Sequence, residues 1–213
     1  MKLLRTAFVV LVSLTVGGCS ALSSLTDATT PLQAYDLRSP PDMPLAQATL
    51  ARDLVIEVPG SGGALDTDRI MIRPGPFQAQ YLPEARWTDS APVMLQTLMV
   101  RAFEDTNALR YVGRRPLGGS GDYVVVSELT DFQAELGPDG TGVTTRVRLT
   151  LRLVRESDAA ILASRTFQRT AAAASTETLD VVESFNAATS AILQEVTGWV
   201  LGRLGVRVSG ERM

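Results

Sequence analysis

The chain has 213 residues, of which 45% are hydrophobic and 20% charged, a composition typical of one ordinary globular domain rather than of a disordered protein. Its 20 basic and 23 acidic side chains give a net charge of −3, so the basic surface of a nucleic-acid-binding protein is not expected. Histidine is absent and cysteine occurs once, which removes the commonest general base and metal ligand. We therefore expect no enzyme activity, no metal and no cofactor.

The first element in chain order is an export signal. Met1–Arg5 is short and basic, residues 7–16 are almost wholly apolar, and two glycines precede Cys19. These are the three parts of a secretory signal peptide. The apolar run is about half the length that a membrane-spanning helix needs. We therefore expect residues 1–18 to be a signal peptide that is removed.

The residue that ends this signal is the single cysteine of the chain. The sequence Val16–Cys19 resembles the bacterial lipobox, in which small residues precede a cysteine. The resemblance implies that the Cys19 sulfur carries a diacylglycerol and that its new amino group is acylated, with chains of the palmitate type. Several acyl chains anchor a protein stably to a bilayer. The alternative is an ordinary signal peptide with a chance cysteine, which would have no disulfide partner in the chain.

A flexible tether and the first strands follow. Residues 19–33 are rich in Ser, Thr and Ala and predict a lipidated tether, and residues 34–208 form the expected folded domain. Residues 35–38 and 54–58 indicate short strands. The glycine-rich Gly60–Gly63 lacks the Gly-Lys-Ser/Thr ending of a phosphate-binding loop, so we interpret it as a plain loop.

A hairpin and the first helix come next. Residues 65–73 and 77–82 predict two strands joined by a proline-rich turn. Proline suits the first turn of a helix, and the predicted helix runs from Pro92 to Asn107. Gln96 and two charged residues lie away from its apolar stripe. The stripe, which we expect to face a core, consists of Leu95, Leu98, Met99, Ala102 and Phe103.

The loop after this helix contains a partial catalytic motif. A short strand is predicted over residues 111–114, and Gly118-x-Ser120 then resembles the start of a nucleophile elbow. That motif needs glycine at position 122 and a histidine elsewhere. Asp122 and the absence of histidine exclude it.

Three long strands predict a meander over residues 123–132, 143–154 and 160–168. The second strand alternates strictly between apolar and polar residues, a pattern typical of an antiparallel sheet with one buried face. The third is expected to turn Ile161, Ala163 and Phe167 towards the core. The polar face of the second strand presents Arg146, Arg148, Thr150 and Arg152. These arginines could bind an acidic partner, or they could pair with acids on neighbouring strands.

The last element is a long amphipathic helix that we expect Thr178 to cap and Gly205 to end. Its polar face is acidic, which favours packing on the sheet over lying on a membrane. The apolar stripe is Leu179, Val182, Phe185, Thr189, Ile192, Leu193, Val196, Trp199 and Val200. The elements together predict an α+β fold, a two-layer sandwich of a mostly antiparallel sheet with two amphipathic helices on one face.

Several segments resemble a known family. Besides the lipobox at Cys19, they are Tyr35-Asp36-Leu37, Leu65 to Ile70, and Arg86-Trp87-Thr88-Asp89-Ser90-Ala91-Pro92 at the start of a helix. In this order they resemble the ABC-type transport auxiliary lipoproteins, which include the paraquat-inducible protein C group. The resemblance covers residues 35–204. Trp87 matches the family's motif, although a buried tryptophan usually serves as a core anchor.

The resemblance implies a non-catalytic component of an inter-membrane phospholipid transport system that supports membrane integrity. In such systems an inner-membrane permease and ATPase act with a periplasmic protein of the mammalian-cell-entry (MCE) type. The lipoprotein would dock that MCE protein at the periplasmic face of the outer membrane in a Gram-negative bacterium. Cys19 is the one residue to which the resemblance assigns a role. Free sheet edges would also permit a homo-oligomer.

Two other functions stay open at this stage. A structural or assembly lipoprotein that helps an outer-membrane protein or lipopolysaccharide to insert would co-purify with a β-barrel. A periplasmic hydrolase using serine and aspartate would act on ester or peptide substrates.

Overall fold

The computed structural model describes residues 31–208, so the predicted signal peptide and Cys19 lie outside the described residues. The chain divides into two units, and the second, Ala34–Met213, holds the two helices and all the long strands that the structure describes. The strands are β1 Gln33–Tyr35, β2 Leu50–Ile56, β3 Gly60–Ser61, β4 Arg69–Arg73, β5 Gln80–Trp87, β6 Leu109–Gly113, β7 Tyr123–Leu136, β8 Val143–Arg155 and β9 Ala160–Ala172. The helices are α1 Ala91–Glu104 and α2 Thr178–Arg203.

One strand, β7, organises a single sheet of nine strands. Along one edge it pairs antiparallel with β8, which in turn pairs antiparallel with β9. Along the other edge it pairs in parallel with three short strands: β2 at Tyr123–Val125, β3 at Glu128–Leu129 and β4 at Ala134–Glu135. The sheet continues beyond β2 to β6, and beyond β4 to β5 and β1.

The α+β class is confirmed, but the sheet is mixed. Most of its paired residues lie in the antiparallel hairpins β4–β5, β7–β8 and β8–β9. The parallel pairs of β2 with β6 and of β7 with β2, β3 and β4 were not predicted. Parallel neighbours need long crossover connections, and the sequence signals for tight turns indicate only hairpins.

Helix α1 contacts β2, β6 and α2, and its predicted apolar stripe is buried. The prediction that Gln96 lies away from the core was wrong. Gln96 is 5% exposed, and its amide Nε2 donates to the Ile56 carbonyl oxygen at 2.8 Å. The helix ends at Glu104 rather than Asn107, which has a positive φ of 52°.

Helix α2 lies against β8, β9 and α1. Thr178 is its first residue and Glu177 its N-cap, so the predicted cap was one residue too late; Leu179, predicted to be buried, is 57% exposed. The predicted end at Gly205 is confirmed. Gly205 has a φ of 76°, and the next N–H, that of Val206, donates to the Leu201 carbonyl oxygen at 2.9 Å, which satisfies an otherwise free helix end.

The alternation predicted for β8 is confirmed, since Val147, Leu149, Leu151 and Leu153 are all buried. On β9, Phe167 is buried as predicted, but Ile161 is 60% exposed. The pairing register shifts between Leu153 and Val154. Such a bulge reverses the side-chain alternation beyond it, so Ile161 faces solvent.

The core is centred on three aromatic rings. Trp87 is fully buried and lies 5.8 Å from Phe132 and 5.2 Å from Phe185, measured between ring centroids. Phe132 and Phe185 lie 4.9 Å apart. The rings come from β5, β7 and α2, so Trp87 is the core anchor that its size indicated.

The three segments of the domain that resemble the family meet beside Trp87. Its backbone N–H donates to the Asp68 carbonyl oxygen at 2.6 Å, and that of Thr88 donates to the Tyr35 carbonyl oxygen at 2.9 Å. The Ala91 N–H donates to the Thr67 carbonyl oxygen at 3.2 Å, at the first residue of α1. These motifs therefore hold β1, β4, β5 and α1 together.

Candidate functional site

The sequence singled out Cys19 as the anchoring residue and Ser120 as part of an excluded catalytic motif. Cys19 lies outside the described residues, so its lipidation stays a prediction. Ser120 lies in an exposed loop. Between residues 31 and 208, no three His, Cys, Asp or Glu side chains come together in a way that could hold a metal ion. No described helix combines the length and apolar character needed to cross a bilayer.

The arginine row of β8 is only partly neutralised. Arg146 forms two parallel bonds with Glu135, Nε to Oε1 at 2.8 Å and Nη2 to Oε2 at 2.9 Å. These bonds from Arg146 are the main cause that lowers the pKa of Glu135, and Gln133 and the charge of Arg73 act in the same direction. Arg146 therefore pairs with an acid on the neighbouring strand, one of the two alternatives raised by the sequence.

The other two arginines of this row are free. Arg148 and Arg152 are exposed, and their side chains form no ion pair or hydrogen bond within residues 31–208. Both lie on the face of β8 opposite the buried Leu149 and Leu151. We call the exposed side of β7, β8 and β9 that carries Arg148 and Arg152 the outer face. For these two residues, binding to an acidic partner stays open.

A groove of about 960 Å³ lies where β4 and β7 end, which we call the turn-end groove. Gln133, on its floor, is 2% exposed, and its Nε2 donates to Asp131 Oδ1 and Glu135 Oε1 at 3.1 Å each. Its Oε1 accepts from the Phe132 N–H at 2.9 Å. The amide of Gln133 thus holds the carboxylates of Asp131 and Glu135 in place. Sequence analysis missed them, although Asp131, Gln133 and Glu135 alternate along one face of β7.

Arg73, at the end of β4, lines the same groove. It is half-buried, and its Nε is inaccessible to water yet has no hydrogen-bond partner. The rest of its guanidinium likewise forms no hydrogen bond or ion pair with any residue from 31 to 208. A buried donor without a partner costs about 1–3 kcal/mol. The groove therefore presents one cationic group whose hydrogen-bonding capacity is unused.

A small apolar pocket of about 140 Å³ adjoins the groove. Arg73, Pro74 and Leu136 line both cavities. The remaining wall of the pocket is formed by Ile72, Leu82, Ala134, Val143, Thr176 and Val181. A polar cavity and an apolar one thus meet at Arg73.

A second charged cluster lies at the opposite end of β7 and links neighbouring strands. Asp122 accepts from the Asp53 backbone N–H at 2.9 Å and from Arg52 at 2.8 Å. The Asp53 bond is the largest cause that lowers the pKa of Asp122, and Arg52 and Arg110 act in the same direction. Arg110 also binds Asp53 at 2.8 Å. The cluster ties β2 and β6 to the loop that precedes β7.

Comparison with known proteins gives concordant results. The sequence profile of a family described as "ABC-type transport auxiliary lipoprotein component" matches residues 35–197. Over 190 residues the chain is 27% identical to the uncharacterized protein bll6063 of Bradyrhizobium diazoefficiens. That alignment covers 87% of this chain and 50% of the relative, so the chain spans about half the length of this curated protein.

Two crystal structures have a similar fold. Protein XCC0632 from Xanthomonas campestris superimposes with a TM-score of 0.71 at 28% identity, covering 81% of this chain and 96% of that one. An uncharacterized protein superimposes with a TM-score of 0.63 at 13% identity, covering 80% of this chain and 99% of its own. The second likeness concerns the fold alone.

Proposed function

The chain belongs to the family of ABC-type transport auxiliary lipoprotein components, and from this we propose that it docks the periplasmic MCE protein of an inter-membrane phospholipid transport system. The acylated Cys19 anchors it to the periplasmic face of the outer membrane. An inner-membrane permease and ATPase supply the energy, so the lipoprotein itself is not an enzyme and needs no cofactor. The match of the family profile over residues 35–197 is the observation that carries the proposal.

The chemistry of the described residues supports a docking role. The chain has no histidine, and the carboxylates of the turn-end groove are held by Gln133 and Arg146 rather than by a potential nucleophile. The outer sheet face, which carries the exposed Arg148 and Arg152, remains for contact with another protein. A rigid sheet that carries unpaired charges suits a docking module better than a catalytic one.

We assign the contact to the outer face. Arg148 and Arg152 lie on a regular strand whose opposite face is fully packed, so their backbone positions are fixed. Asp131 lies opposite Arg148 in the β7–β8 ladder but forms no ion pair with it. Exposed cations that are not neutralised by an ion pair attract an acidic surface and steer its approach. The expected partner surface on the MCE protein is therefore acidic, and its capture should weaken as salt is added.

A capture experiment tests this proposal. The full lipoprotein, extracted in a mild detergent, is immobilised and presented with its MCE protein at several salt concentrations. Arg148→Glu combined with Arg152→Glu should abolish most of the capture and its salt dependence. The matched control, Arg38→Glu combined with Arg207→Glu, makes the same change of charge at two exposed arginines away from the outer face and should capture normally.

Location is tested separately. Cys19→Ser should remove the protein from the outer-membrane fraction, and mass spectrometry of the wild type should show an acylated Cys19. An unmodified thiol would contradict the anchor. Failure of the wild type to capture the MCE protein, with co-purification of a β-barrel instead, would favour the assembly lipoprotein over the transport component.

A further inference from the structure

The turn-end groove and the apolar pocket lie next to each other at the ends of β4 and β7, and they differ in chemical character. The groove is lined by Arg73, Asp131 and Glu135, and the pocket almost wholly by aliphatic side chains. They meet at Arg73, Pro74 and Leu136. A ligand that fills both must therefore be charged at one end and apolar at the other.

The charges on the ligand's head group are inferred from two side chains, Arg73 and Asp131. Arg73 has a buried Nε without a partner, and guanidinium groups bind phosphate through charge-assisted hydrogen bonds. Asp131 accepts one bond from Gln133 and forms no ion pair with any residue in the range 31–208. One cation and one anion are therefore both available, which fits a head group with a phosphate and an ammonium.

The apolar part follows from the size and surroundings of the pocket. An apolar cavity of about 150 Å³ holds a benzene-sized group, so about 140 Å³ accommodates the end of one acyl chain. Phe77, in the turn beside the groove, is 99% exposed, and Leu136 is 36% exposed. Leu136, which lines both cavities, gives the rest of such a chain an apolar surface next to the pocket.

We propose that this end of the domain binds one zwitterionic phospholipid, with its phosphate at Arg73, its ammonium at Asp131 and the end of an acyl chain in the pocket. A peptide fits less well, because β4 lies between β5 and β7, and β7 between β4 and β8. At the groove, neither β4 nor β7 therefore has a free edge for the backbone pairing that extended peptides use. The inference rests on the proposed function for the supply of phospholipid.

Native mass spectrometry of the full lipoprotein in a maltoside detergent tests the inference. The probe is dihexanoyl phosphatidylethanolamine, added as monomers. Wild-type protein should form a one-to-one adduct. Arg73→Gln should weaken it by at least about tenfold, as expected for one charge-assisted hydrogen bond. Thr176→Phe, which fills the pocket from an exposed linker, should also weaken it.

Two controls decide the result. Arg38→Gln changes an exposed arginine that lines neither the groove nor the pocket, and this variant should bind as the wild type does. Glycerophosphoethanolamine, which has the head group alone, should form no stable adduct. Equal binding by Arg73→Gln and wild type, or equal adducts with the head group alone, would overturn the inference.

The outcomes also separate the two proposals. Arg73→Gln protein should still capture the MCE protein, because the outer-face arginines are unchanged. A wild-type protein that binds the phospholipid but captures no MCE protein would contradict the proposed function and leave this site standing.

Discussion

Replacement of Trp87 by leucine tests whether the family's most distinctive motif is structural. Trp87 is fully buried and makes ring contacts with Phe132 and Phe185. Aromatic pairs contribute about 0.5–1.5 kcal/mol each beyond their buried area, and truncation of a buried tryptophan to alanine costs about 3–5 kcal/mol. Leucine retains part of the volume, so we expect Trp87→Leu to lower the free energy of unfolding by about 2–4 kcal/mol.

The assay is thermal unfolding of the detergent-extracted lipoprotein, followed by far-ultraviolet circular dichroism. In a domain of this size each kcal/mol shifts Tm by about 2–4 °C, so Tm should fall by roughly 5–15 °C. Trp199→Leu is the matched control: Trp199 is only half-buried and has one ring contact, with Phe167 at 5.5 Å. Its loss should be clearly smaller.

Capture of the MCE protein distinguishes a structural role of Trp87 from a role in docking. Below its Tm, Trp87→Leu protein should capture the MCE protein as well as the wild type does. Capture lost at a temperature where the variant is folded, or a Tm shift no larger than that of Trp199→Leu, would refute the reasoning.

Two further predictions concern polar groups. Gln96→Met removes the buried donor to the Ile56 carbonyl oxygen and should cost about 1–3 kcal/mol; an unchanged Tm would show that this bond contributes nothing. Arg146 lowers the pKa of Glu135 from its ordinary value of 4.5, so its stabilisation is present above that pH and is lost as the pH falls through the lowered value. The Tm difference between wild type and Glu135→Gln should therefore shrink on acidification, and a constant difference would contradict this linkage.

The sequence predicted the parts of the fold whose signals are local. The two-residue period of β8 and the helical spacing of α1 are visible in short windows, and both are confirmed. Gln96 was misplaced because its partner, Ile56, lies 40 positions earlier. The parallel pairs of β7 were missed for the same reason: no local pattern indicates which distant strand will lie alongside.

The candidate site was only partly accessible from the sequence. The arginines of β8 were found by alternation, but the sequence could not show that Arg146 is paired while Arg148 and Arg152 are free. The turn-end groove forms only when β4 and β7 lie side by side, with Arg73 opposite Glu135 in the register of the two strands. That juxtaposition joins residues of different hairpins, and it exists only once the sheet has formed.

The position of β7 has a consequence for how the chain reaches its fold. β2, β3 and β4 all find their shared neighbour in a strand that is synthesised after them, so the earlier segments can form only separate small ladders until Tyr123–Leu136 arrives. Contacts between residues so distant in sequence slow folding because loop closure must precede them. The first half of the chain is therefore expected to stay without a completed sheet until late in folding, and then to be incorporated cooperatively.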